Sequence, residues 1–162
     1  MQVVIMRHGE AALDAASDSV RPLTDCGCDE TVCMASWLNG RSVKIQRVLV
    51  SPYLRAQQTL EKVRQAIALP EKVDVLPELT PGGDPALVAE ELQALAKEGV
   101  SSVLVVSHLP LVGYLVAELC PGKCPPMFAT SAMASVEINA DTGQGSFDWQ
   151  FSPSQVIAKA CG

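Results

Sequence analysis

The chain has 162 residues, a formal net charge of −6, a 48 % hydrophobic composition and 19 % charged residues. That length fits one domain over residues 1–162 with an ordinary buried core, and the composition excludes a disordered chain. The acidic balance argues against nucleic acid as a partner, because its phosphates need a basic surface, so any anion site must rest on arginines gathered locally.

In chain order, Gln2–Met6 is a short apolar run that reads as a buried strand. It has no basic leader and no cleavage site follows it. A helix is expected over Asp25–Leu38, with Thr24 as its N-cap and Asn39-Gly40 as its stop. Arg47–Val50 is a second strand, followed after Pro52 by helical spacing over Tyr53–Leu69. Val73–Leu76 reads as a strand and Pro85–Lys97 as a helix with Pro near its start and Gly99 past its end. Val103–Val106 is a β-branched strand. Pro110–Leu119, apolar nearly all round, should be a buried helix. Ala134–Ile138 and Ser146–Phe151 form a hairpin signal about Asp141-Thr142-Gly143. Strand–helix alternation implies an α/β layered fold with a mostly parallel sheet and an antiparallel edge. No segment approaches the roughly 20 apolar residues of a membrane span, so a soluble, cytoplasmic chain without membrane insertion is expected.

The six cysteines, Cys26, Cys28, Cys33, Cys120, Cys124 and Cys161, contain no C-x-x-C pair. Reduced thiols packed as small apolar residues are expected. Structural disulfides, or a zinc set built on Cys26, Cys28, Cys33 and one more, are the alternatives.

The two histidines, His8 and His108, each follow an apolar strand directly. Ligands of α/β sheets bind at the carboxyl ends of strands, so both can face one site despite their separation. Arg7 precedes His8, and Arg55 lies just past a third strand end. A guanidinium offers a rigid fork of donors suited to phosphate oxygens. Two imidazoles and two guanidinium groups at one sheet edge describe an oxyanion site and argue against a metal site. Taken singly, each histidine also reads as a turn residue and each arginine as a solvated one.

Arg7-His8-Gly9-Glu10 after a first strand resembles the R-H-G signature of the histidine phosphatase superfamily, which includes phosphoglycerate mutases. Pro22-Leu23-Thr24-Asp25-Cys26-Gly27 resembles its P-L-T-x-x-G segment. Ser51-Pro52-Tyr53-Leu54-Arg55-Ala56-Gln57-Gln58-Thr59 resembles its S-P-x-x-R-A-x-Q-T segment, and Ser107-His108 its later S-H pair. Order and spacing agree over residues 1 to about 115. The stretches Arg7 to Thr24 and Ser107 to Gly113 look closest to SixA-type phosphohistidine phosphatases. The resemblance implies a three-layer phosphoglycerate mutase-like fold, helices on both faces of the sheet, and removal of phosphate from phosphohistidine on a signalling protein such as the histidine-phosphotransfer domain of a sensor kinase.

By the same resemblance His8 is the nucleophile, and Arg7, Arg55 and His108 hold the phosphoryl oxygens. Phosphate or its mimics should occupy the site. Arg21 is a further substrate-binding candidate. Glu78, in Leu76-Pro77-Glu78, matches the family's general acid, with Asp18 and Glu10 as rivals. No metal or cofactor is implied. Two departures matter. Many members carry Asn where this chain has Asp14, a group that could not donate to phosphate. Between Glu78 and His108 there is little beyond one helix, where mutases insert a long segment. An open groove is therefore expected, which favours a protein substrate over the alternative of a small phosphomonoester. A non-catalytic phosphate-binding module would be expected to lack one of the four groups.

Overall fold

A computed structural model describes residues 1–161, with side chains through residue 157. Six strands form one sheet: β1 (Gln2–Arg7), β2 (Arg47–Val50), β3 (Asp74–Val75), β4 (Ser102–Ser107), β5 (Met133–Ile138) and β6 (Gly145–Phe151). Their order is β3-β2-β4-β1-β5-β6. β3, β2, β4 and β1 run parallel, while β5 pairs antiparallel with both β1 and β6. The helices are α1 (Asp25–Asn39), α2 (Leu54–Arg64), α3 (Pro85–Lys97), α4 (Leu111–Leu119) and α5 (Pro153–Cys161).

Side chains alternate across a strand, so β1 feeds two cores. Val3 and Ile5 pack with the inner faces of α3 and α4. Val4 and Met6 face the other way, toward α1, α2 and Val156 of α5. The sheet is thus covered on both faces, as a parallel sheet requires. Thr24 caps α1 by accepting from the Gly27 N–H at 3.0 Å, and Asp84 caps α3 by accepting from Ala86 N–H at 2.9 Å.

Four elements depart from expectation. α2 stops at Arg64, because that guanidinium turns back to the Pro70 carbonyl at 2.8 Å and holds the chain off the helix axis. β3 keeps only Asp74–Val75; Leu76 still donates to the Val50 carbonyl at 3.0 Å before Pro77 turns the chain into a short 3-10 turn, Pro77–Leu79. α4 is not buried all round, since Tyr114 is half exposed. Helix α5 is new. Cys26, Cys28, Cys33, Cys120 and Cys124 are free thiols, but Cys26 and Cys124 are exposed rather than packed; the Cys161 side chain lies outside the described residues.

Gly27, in the first turn of α1, packs against the backbone of Glu10 in the loop that follows β1 and His8. A Cβ there would overlap the Glu10 carbonyl oxygen and approach Glu10 N to 2.9 Å, and backbone cannot step aside. Gly27→Ala is expected to lower stability by about 1–3 kcal/mol, read as a lower urea midpoint with an unchanged m-value. An unaltered midpoint would contradict the close approach.

Candidate active site

The site follows from strand order. β1 and β4 are parallel neighbours in register, with Arg7 opposite Ser107. The next residues, His8 and His108, therefore leave the same sheet edge side by side, their ring centroids 5.1 Å apart. On the other side of β4, β2 runs through Ser51, Pro52 and Tyr53 into α2, whose first turn carries Arg55. All three groups are nearly enclosed: His8 is 6 %, Arg55 4 % and His108 1 % exposed. The expected open groove is thus partly roofed. The segment between β1 and α1 lies over Arg55, where Asp18 of a short 3-10 turn, Asp18–Val20, accepts from it.

His8 Nδ1 lies 2.7 Å from the Gly9 carbonyl. A carbonyl only accepts, so Nδ1 carries the proton and Nε2 keeps a lone pair. That lone pair accepts from Arg55 Nε at 3.3 Å. Arg55 is held in turn by Asp18, through Nη1 to the carbonyl at 2.7 Å and Nη2 to Oδ2 at 3.2 Å, and it stacks 5.1 Å from the Tyr53 ring. Arg7 Nη1 donates to the Phe128 carbonyl at 2.9 Å. His108 Nε2 stands 2.7 Å from Ser51 Oγ. Two buried nitrogens, Arg7 Nε and His108 Nδ1, have no partner among the described residues. Buried polar atoms nearly always find one, so this pair has hydrogen-bonding capacity that a ligand could satisfy.

Burial dominates the electrostatics. It lowers the His8 pKa to about 4, with Arg55, Arg7 and Arg21 adding repulsion against the hydrogen bond to Gly9. Burial, then His8 and Arg55, lower His108 to about 3. Both rings are neutral at pH 7, so a lone pair on His8 is available.

Arg21 anchors the same segment, donating from Nε to the Ala12 carbonyl at 2.7 Å and from Nη1 to Asp18 at 3.1 Å. The Arg21 hydrogen bond, followed by that from Arg55, holds the Asp18 carboxyl below its ordinary pKa against a small cost of burial. Asp18 is therefore an acceptor at neutral pH and a poor proton donor. Glu10 faces α1, where its carboxylate, Cys26 Sγ and Glu30 lie within 4.8 Å of one another. The two carboxylates raise the Cys26 thiol to about 11, which disfavours a thiolate ligand there. Asp14 is exposed. Glu78 lines a cleft of about 270 Å³ with Leu76, Leu87, Val88, Glu90, Glu91 and Ala94, a lining that contains neither histidine. Sequence reasoning missed the roles of Ser51 and of the Gly9 and Phe128 carbonyls. Only Ser51 left a signal, as the first residue of the motif that ends at Thr59.

The family described as histidine phosphatase superfamily (branch 1) matches residues 3–81. Phosphohistidine phosphatase SixA of Escherichia coli (strain K12) is 66 % identical over 161 residues, 99 % of each chain. The chain belongs to the histidine phosphatase superfamily. Its similarity to SixA proteins extends to a homologue from Haemophilus influenzae, 41 % identical over 84 % of this chain and 87 % of that one. A solved structure of the protein histidine phosphatase SixA complexed with tungstate superposes with a TM-score of 0.95 at 67 % identity, over 96 % of this chain and 99 % of the other. The expected α/β fold, mostly parallel with an antiparallel edge, is the one this superfamily member adopts. No helix among the described residues is long and apolar enough to cross a membrane.

For both histidines the folded state prefers the neutral ring. Below the ordinary pKa of about 6.5 the unfolded chain therefore binds more protons than the folded one. Stability from this source is complete above about pH 6.5 and is lost as pH falls toward the folded values of about 4 and about 3. Imidazole Hε1 resonances of the free protein should titrate well below pH 5, and His8→Asn should flatten the pH dependence of the urea midpoint between pH 6 and 4. Midpoints near the ordinary histidine value would contradict the burial assigned to the rings.

Proposed function

We propose that this chain is a phosphohistidine phosphatase, a hydrolase acting on a phosphohistidine-bearing signalling protein, with the histidine-phosphotransfer domain of a sensor kinase as its substrate class. The observation that carries this is the pair of buried, unpartnered nitrogens, Arg7 Nε and His108 Nδ1, beside a histidine whose proton sits on Nδ1 and whose Nε2 lone pair is held by the Arg55 Nε–H. The relatives add to it: SixA of Escherichia coli is named for this activity, and the tungstate bound by a SixA structure is a tetrahedral oxyanion like phosphate.

In the proposed reaction His8 Nε2 attacks phosphorus while the P–N bond of the substrate breaks. The departing imidazole keeps that electron pair and takes up a proton from solvent water. Water then attacks the phosphoryl group on His8, whose Nε2 recovers its pair as phosphate leaves. The Nδ1–H bond to Gly9 holds the ring through both steps and stabilises the charge it carries while phosphorylated. Arg7, Arg55 and His108 are proposed to bind the equatorial oxygens, with Arg21 acting through Asp18. Arg55 must turn its Nε–H from His8 to an oxygen, which frees the attacking lone pair. The guanidinium groups supply the positive charge, so the steps draw on neither metal nor cofactor.

A general acid matters most when the leaving group is an alkoxide. Glu78 is proposed to serve in that case, and phosphohistidine, with its labile P–N bond, makes little demand on it. The enzyme is proposed to act as one domain in the cytoplasm, where its partner class resides.

Incubation with a phosphorylated histidine-phosphotransfer protein in the presence of chelator should give a transient adduct on His8, stable to alkali and labile to acid. His8→Ala should abolish adduct and turnover, and Arg55→Ala should cut kcat/KM by roughly 100- to 1000-fold. Dephosphorylation that survives His8→Ala would overturn the covalent route. Glu78→Gln should leave phosphohistidine turnover within about twofold while slowing hydrolysis of an alkyl phosphomonoester by at least about tenfold. Equal losses on both substrates would contradict the role given to Glu78.

A further inference from the structure

The contact between His108 and Ser51 does more than fill space. We propose that Ser51 is a positioning residue that sets the tautomer of His108, donating its hydroxyl proton to Nε2 and thereby keeping the ring proton on Nδ1 for a phosphoryl oxygen. This rests on the reading of His108 as an oxygen-binding donor.

The hydrogen-bond inventory of Ser51 decides the direction. Its side chain is fully buried, so its hydroxyl proton cannot turn to water. Its oxygen already accepts from the Tyr53 N–H at 3.2 Å. Among the described residues, the acceptor within reach of that proton is His108 Nε2, at 2.7 Å. If Nε2 carried the ring proton and donated instead, two buried groups would fail at once. The Ser51 hydroxyl proton would have no acceptor, and His108 Nδ1 would present a bare lone pair to the arriving anion. A lone pair facing a phosphoryl oxygen repels it. With Ser51 donating, every polar atom of the pair is satisfied except Nδ1–H, the atom left without a partner. A neutral ring then offers a donor without first being protonated, which suits a group whose burial disfavours charge.

The backbone holds Ser51 for this task. Its N–H donates to the Val106 carbonyl at 3.1 Å, two residues before His108, and its carbonyl accepts from Gln57 Nε2 at 2.9 Å. The hydroxyl is thus fixed between the end of β2 and the end of β4. The chain has two histidines, so the tautomer can be read directly.

The experiment is a long-range 1H–15N correlation spectrum of the 15N-labelled free protein at pH 7.5, with His8→Ala used to assign the rings. The expected result is a protonated Nδ1 and an unprotonated Nε2 at His108. Ser51→Ala should move His108 toward the Nε2–H tautomer and lower kcat/KM for the phosphohistidine protein by roughly 10- to 100-fold, while the phosphoryl adduct on His8 still forms. An Nε2–H tautomer in the unaltered protein overturns the inference, as does a Ser51→Ala protein with unchanged tautomer and unchanged kinetics. These outcomes are separable from the catalytic proposal. Failure of the adduct in the unaltered enzyme would sink the covalent reading with the tautomer intact, and the reverse pattern would sink the tautomer alone.

Discussion

Everything at the site depends on the parallel pairing of β1 with β4. In-register parallel neighbours bring their carboxyl ends to one edge, and here each strand is followed at once by a histidine. The 5.1 Å between the imidazoles is thus set by sheet geometry rather than by flexible loops. β2, on the far side of β4, contributes Ser51 and then Arg55 by the same rule. A slip of β4 by one residue would turn its core side chains to the opposite face and carry His108 away from His8. The two cores over the sheet faces oppose such a slip, because Val103 and Val105 belong to one and Leu104 and Val106 to the other.

Concentrating cationic groups in a buried place has an electrostatic cost, and the protein meets it in two ways. The histidines stay neutral, since burial depresses both pKa values far below their ordinary range. Arg55 and Arg21 share Asp18, a carboxylate on the segment that roofs the site. Asp18 is therefore a resident anion that an incoming phosphoryl group must share Arg55 with or displace from it. The overall charge of −6 makes this local arrangement necessary, because the global field repels phosphate.

Much of this was legible in the chain itself. The strands were readable because β-branched runs are bounded by polar or turn residues; His8 and His108 were readable because each comes at the end of such a run, and Arg55 because it lies one short turn past another. The parts that escaped depend on contacts between distant segments. Nothing in Asp18 tells that its carbonyl and carboxylate both reach Arg55, 37 residues away. Ser51 looked like a motif residue without a task until β2 was found beside β4. Helix α5 was missed although Ser152-Pro153-Ser154-Gln155 carries a start signal: Gln155 Oε1 accepts from the Ser152 N–H at 2.8 Å, half of a capping box, with Pro in the first helical position. The end of α2 was misjudged because apolar spacing continues to Leu69, whereas Arg64 takes up the carbonyls beyond it.

The central claim is that two imidazoles and two guanidinium groups close around one tetrahedral anion with His8 Nε2 on the line of attack. A crystal structure with bound vanadate tests it most directly. The account predicts vanadium bonded to His8 Nε2, with Arg7 Nε and His108 Nδ1 each donating to a vanadate oxygen. Vanadate seated elsewhere, or those two nitrogens still unpartnered beside a bound ion, would contradict it.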